Sequence, residues 1–142
     1  MYREIVKSMS LMKIFQIAMV ITLISSCSLG KLDINQAKIC AEGYLTSVKN
    51  ENFEAASKFY SQMFNETESN EKRIEKMKKL TDVMGKITTY EVVDSTEKTE
   101  GDETVILLTY KVKHTKINST EKFSIMKDEG EYKIVGHDIN SE

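Results

Sequence analysis

Proline is absent from all 142 positions, glycine occurs only six times and cysteine only twice. A chain so poor in proline and glycine holds no long flexible linker, and no repeat or low-complexity tract is visible. Two cysteines are too few for a disulfide framework, so packing rather than staples must hold the fold. A membrane-spanning run is missing as well. The longest apolar stretch, residues 14–24, has Gln16 and Thr22 inside it and is closed by Lys13 before and by Ser25, Ser26 and Ser28 after. As a helix it covers about 16 Å, against a hydrocarbon core of about 30 Å. An excess of positive charge is missing too, with 20 Lys and Arg against 22 Asp and Glu. That argues against a nucleic-acid partner, which calls for a basic field. No nucleophile elbow, phosphate loop or triad signature occurs. The two histidines, His114 and His137, have no ligand-spaced partners, so neither a metal nor a cofactor is expected.

What is present begins with an address. Arg3, Lys7 and Lys13 precede the apolar run, and small residues follow it. A basic start, a short apolar core and small residues form the layout of a secretory signal. Met9 or Met12 as the start gives a tighter leader than Met1, since Glu4 is unusual in one. The run ends in Leu23-Ile24-Ser25-Ser26-Cys27, which resembles the lipobox of bacterial lipoproteins. Small residues fit a narrow peptidase cleft, and the thiol can carry a thioether to a diacylglycerol. The resemblance implies cleavage before Cys27, lipid on its sulfur and often a further acyl chain on its new amino group. Two or more chains anchor a protein stably, whereas one holds it marginally. It implies a bacterial cell-envelope protein held at the membrane through Cys27. Ser28 lacks the negative charge that keeps some lipoproteins on an inner membrane, which points to the outer one where a cell has two.

Residues 1–26 hold three of the 20 basic and one of the 22 acidic residues, leaving 17 against 21 in the remaining 116. That length suits one domain with one core. Residues 27–32 form a short tether whose last five residues reach at most about 18 Å, and residues 33–142 form the domain. With Cys27 lipidated, Cys40 has no disulfide partner and reads as a small core residue rather than a reactive thiol.

Asp33 reads as a helix N-cap, with Gln36 closing a capping box. Ile34, Ala37, Ala41, Tyr44, Leu45 and Val48 then fall at helical spacing. Asn52 caps a second helix over residues 53–64, with Phe53, Ala56, Phe59, Tyr60, Met63 and Phe64 available to a core. Residues 65–70 read as a loop. A third helix follows over 71–84, with a stripe of Ile74, Met77, Leu80, Thr81 and Met84 and with Glu68–Lys72 and Glu75–Lys79 as favourable pairs. Its many basic residues read as a solvated face, and Gly85 stops it. The period then changes to two. Strands are expected over 87–96, 104–115, 120–127 and 131–139, with Tyr90 and Val92 on one face of the first. Ile106, Leu108, Tyr110 and Val112 line one face of the second, and Asp128-Glu129-Gly130 makes a tight hairpin. This is an α+β layout, with three N-terminal helices packed on a curved four-stranded antiparallel sheet.

Ala41-Glu42-Gly43-Tyr44-Leu45, Asn52-Phe53-Glu54-Ala55-Ala56, Thr89-Tyr90-Glu91-Val92 and the ending Gly130-Glu131-Tyr132-Lys133-Ile134-Val135-Gly136-His137-Asp138-Ile139 resemble small bacterial domains of the nuclear-transport-factor-2-like superfamily, also called cystatin-like or ketosteroid-isomerase-like. Relatives commonly end in Trp-x-Val-x-Gly-Tyr-x-Ile; here Tyr132 replaces the Trp and His137 the Tyr. The resemblance covers about residues 35–139 and implies a cone in which helices close over a curved sheet and can leave an apolar pocket. Some members are isomerases or dehydratases, many bind small molecules, and many are accessory or dimerising domains, so the fold does not choose among these roles. The expected function is a lipid-anchored binding or accessory module for a small apolar ligand or a protein partner. The alternative is a ketosteroid-isomerase-like enzyme acting on a small apolar substrate. An isomerase needs a carboxylate base and acid donors in its pocket, and the polar groups placed inward are Tyr90, Asp94, Tyr110 and His114. Phe53, Phe59, Tyr60, Phe64 and Tyr44 are bulky enough to leave that pocket small or closed.

Overall fold

The computed structural model describes residues 31–142. The leader of residues 1–26, the start positions Met1, Met9 and Met12, the lipidation site Cys27 and most of the tether lie outside the described residues.

Helix α1 spans Ile34–Lys49. The Asp33 carboxylate caps it, accepting from the Asn35 and Gln36 amides at 2.8 and 3.4 Å. The capping box does not close as expected, because the Asp33 amide donates to the Tyr132 hydroxyl at 2.7 Å. The start of α1 is thereby fastened to the far end of the chain rather than to its own first turn. Ala37, Cys40, Ala41, Tyr44 and Leu45 form its buried face, and burying a side chain such as Leu45 is worth roughly 2 kcal/mol.

The expected second helix is in fact two. Helix α2 spans Phe53–Ser57, capped by the Asn52 side chain on the Ala55 amide, and α3 spans Gln62–Thr67. Between them Tyr60 makes a parallel bridge to Ile134. The Ser61 amide donates to the Ile134 carbonyl at 2.9 Å, and the Ile134 amide donates to Phe59 at 2.8 Å. The backbone groups that would have continued the helix are taken by the sheet. This moves Met63 out of the core to 62% exposure, and α3 runs to Thr67, into the stretch of residues 65–70 that reads in sequence as loop.

Helix α4 spans Asn70–Met84 and stops at Gly85, whose φ of +86° suits glycine. A Cβ there would collide with Thr115 Oγ1. Glu75 pairs with Lys79 at 2.7 Å, but Glu68 reaches Lys76 at 2.5 Å rather than Lys72. Met77 and Met84 are buried as expected, Leu80 is on the surface, and the buried polar member of this face is Arg73.

Strands β1 (Ile87–Glu100), β2 (Glu103–His114), β3 (Ser119–Asp128) and β4 (Glu131–Ser141) form one open antiparallel sheet in the order β1-β2-β3-β4. The architecture is α+β, with the helices before the sheet. Glu129 and Gly130, at φ 49° and 85°, make the tight turn between β3 and β4. Ile106, Leu108, Tyr110 and Val112 are buried on one face of β2. A register shift between Val92 and Asp94 breaks the alternation of β1, and both Val92 and Val93 are exposed. A second shift at Ser124 and Ile125 sets the pairing of β4. The interior is aromatic. The Tyr44 ring meets Tyr60, Phe123 and His137 edge-on at 5.6, 5.7 and 5.2 Å between centroids, and Phe123 stacks on His137 at 4.3 Å. No helix of the described residues is long and apolar enough to cross a membrane.

Candidate functional site

The most polar point of the interior lies on β3. Glu121 is in phase with Phe123 and Ile125, and alternation along a strand sends all three inward. Glu121 is only 3% exposed. The register sets it opposite Tyr110 on β2 and Ile139 on β4. His137 lies two residues from Ile139, within diagonal reach across the strands. His114, at the end of β2, approaches from the other side.

The contacts assign the protons. His137 Nε2 is 2.8 Å from Glu121 Oε2. An ionised carboxylate can only accept, so Nε2 carries the hydrogen of that bond, and Nδ1 lies 2.8 Å from the Tyr60 hydroxyl. On the other side, the Ser119 hydroxyl donates to Glu121 Oε1 at 3.2 Å. Ser119 has no second hydrogen, so its oxygen accepts from His114 Nε2, 3.1 Å away. His114 Nδ1 lies 3.1 Å from the Gly85 carbonyl, also an acceptor. With an acceptor facing each nitrogen, the site favours the imidazolium form of His114, which stands 3.9 Å from Glu121 through space. Burial works against that charge, but the nearby Glu121 carboxylate and the bond to the Gly85 carbonyl raise the His114 pKa above its ordinary value. Burial likewise opposes ionisation of Glu121, yet His114, His137 and Ser119 together hold it down at about 2. The chain of contacts runs from Tyr60 on the helical side through β4, β3 and β2 to the carbonyl at the end of α4.

A carboxylate in this state is a poor proton acceptor near neutral pH, since a general base works best with a pKa near the working pH. The cavity beside Glu121, bounded by Tyr44, Met77, Ile87, His114 and Ile139, has about 20 Å³, room for about one water. Among the described residues no group of His, Cys, Asp and Glu is arranged to hold a metal ion.

The four inward polar candidates from the sequence do not assemble. Tyr90 and Tyr110 are neighbours at 6.3 Å between rings, but each is tied to α1, Tyr90 to Thr46 at 2.8 Å and Tyr110 to Glu42 at 3.3 Å. Asp94 is exposed beside the bulge, with only Thr96 at 3.5 Å. His114 is not a solvated end residue. Its side chain is 7% exposed and belongs to the Glu121 cluster. His114 and His137 are separated by β3, as a meander requires, and β3 itself supplies the acid that joins them. Cys40 is buried and its thiol is pushed up to about 11 by burial, against a smaller opposite pull from Lys133, which makes it inert.

A second opening lies between α4 and the end of β4, with about 160 Å³, bounded among others by Tyr60, Phe64, Arg73, Leu80, His137 and Ile139. Arg73 is 3% exposed. Its guanidinium lies over Tyr60 at 4.5 Å and Phe64 at 5.5 Å from the ring centres. It donates to Asn65 Oδ1 at 3.0 Å and to the Glu68 carbonyl at 3.3 Å. Its charge had read as part of a solvated face. The signal against that reading was its helical phase, four residues before the buried Met77.

A scan against models of protein families finds none that matches the chain, and a search of curated proteins finds no match.

Proposed function

We propose that the chain is a lipid-anchored bacterial envelope protein, attached through Cys27, whose domain of nuclear-transport-factor-2-like, cone-like form binds a ligand or partner and catalyses no reaction. The anchor rests on Leu23-Ile24-Ser25-Ser26-Cys27, and the outer membrane is its place where a cell has two. One observation carries the choice of binding over isomerase chemistry. The buried carboxylate on the inner face of the sheet, Glu121, is committed to His137 and Ser119 and held at about 2. An isomerase of this mould needs a carboxylate that is free to take a proton beside a space for substrate.

Two measurements test this reading separately. Phase separation in a clouding detergent should place the full-length protein in the detergent phase and Cys27→Ser in the aqueous phase; retention of the variant in detergent would contradict the anchor. Incubation in deuterated water with small cyclic ketones should give no exchange at the carbon next to the carbonyl beyond the buffer rate. Protein-dependent exchange that disappears in Glu121→Gln would overturn the non-catalytic reading.

A further inference from the structure

Eighteen of the chain's 20 basic residues are lysines, and Arg73 is the sole arginine after residue 26. It is also buried. A buried guanidinium is costly unless an anion compensates it. Among the described residues no carboxylate lies within ion-pair distance of Arg73. The nearest acid in sequence, Glu68, gives its carboxylate to Lys76 and only its backbone oxygen to Arg73. Of the five guanidinium hydrogens, two have partners. Nε is buried and has none. The aromatic faces of Tyr60 and Phe64 stabilise the cation in part. They supply no negative charge.

The opening beside Arg73 has about 160 Å³, roughly the room of five waters at liquid density. Beside Arg73 on α4, Met77 and Leu80 give it, together with Ile139 of β4, an apolar wall, and the paired Glu68 and Lys76 side chains line it as well. One uncompensated cation balances one negative charge. A doubly charged phosphate would leave its second charge against that apolar wall. A planar carboxylate matches the fork of a guanidinium, and a short alkyl tail matches the wall.

We propose that the cleft between α4 and β4 is a binding site for short-chain monocarboxylates, with Arg73 holding the carboxylate and Leu80, Met77 and Ile139 the tail. Binding turns the guanidinium so that its unpartnered edge, including Nε, meets the ligand. This deepens the reading of the domain as a binding module. Detergent partitioning tests the anchor and the titration below tests the cleft, so either can fail alone.

The test uses the full-length protein in detergent micelles, labelled with nitrogen-15, and butyrate as the probe at constant ionic strength. The Nε–H resonance that is missing in Arg73→Met reports this site, whether or not the leader with Arg3 has been removed. Butyrate should shift that resonance saturably, with a midpoint on the order of 1 mM. Arg73→Met should weaken butyrate binding at least tenfold by calorimetry. Leu80→Glu, at a surface position that leaves the core intact, should weaken it several-fold by placing a like charge on the wall. Inorganic phosphate should bind more weakly than butyrate. An unmoved resonance on the order of 10 mM butyrate, equal affinity in both variants, or phosphate binding as tightly as butyrate would each overturn the proposal.

Discussion

Glu121 and Arg73 are both 3% exposed, yet they are treated in opposite ways. Glu121 is satisfied on both oxygens, by His137 on one and by Ser119, backed by the His114 imidazolium, on the other. Arg73 has two neutral acceptors, two ring faces and no carboxylate. A buried charge with a complete set of partners fastens structure, here β2, β3 and β4 to one another. A buried charge left short of partners can be completed by a ligand, as proposed for the cleft at Arg73. Depth alone does not separate the two roles; the inventory of partners does.

The sharpest way to break the contrast is to remove each charge. Glu121→Ala strands the His114 charge and the His137 ring in the interior, and loss of one member of a buried ion pair costs about 3–5 kcal/mol. Denaturant midpoints should fall accordingly. Arg73→Met removes a charge that nothing neutralises, so its effect on stability should stay within about 1 kcal/mol of zero. Equal losses in the two variants would erase the distinction. Glu121→Gln should fall between them, with a loss of about 1–3 kcal/mol, because the amide keeps one acceptor but not the charge.

Acidity sharpens the contrast next. The Glu121 pKa is lowered on folding, so its stabilisation is present above the unfolded carboxyl value of 4.5 and is lost as the pH falls towards about 2. The His114 pKa is raised on folding, so its stabilisation is present below the unfolded value of 6.5 and is lost as the pH rises through the folded value. Stability should therefore be highest between about pH 4.5 and 6.5. His114→Gln should flatten the decline on the alkaline side while leaving the acid limb in place. The smallest effect concerns Cys40, whose thiol stands at about 11. In the native domain it should resist alkylation at neutral pH and react only after unfolding.

The sheet was legible in sequence because its signal is local. Ile106, Leu108, Tyr110 and Val112 alternate without interruption, and short turns at Gly101 and Gly130 leave a meander as the simple connection. The split between α2 and α3 was not legible. It depends on Ile134, more than seventy residues away, accepting from Ser61 and donating to Phe59. The capping box failed for a similar reason, since the Asp33 amide found Tyr132. Glu121 was missed in the sequence, although a signal for it was there. It shares the phase of Phe123 and Ile125, and an acid on an apolar face announces a buried partner. Which partners it finds depends on the register that sets Ile139 opposite it. Arg73 was hidden among the lysines of α4, and only its spacing from Met77 marked it as inward.

Glu121, with both oxygens partnered, is a structural anion rather than a proton acceptor. The direct measurement is a carbon-13 NMR titration of the full-length protein labelled at glutamate carboxyls, with Glu121→Gln identifying the Glu121 signal. This signal should stay in its ionised position from neutral pH down through pH 4 and move only as the pH nears about 2. A signal that titrates near neutral pH would contradict it.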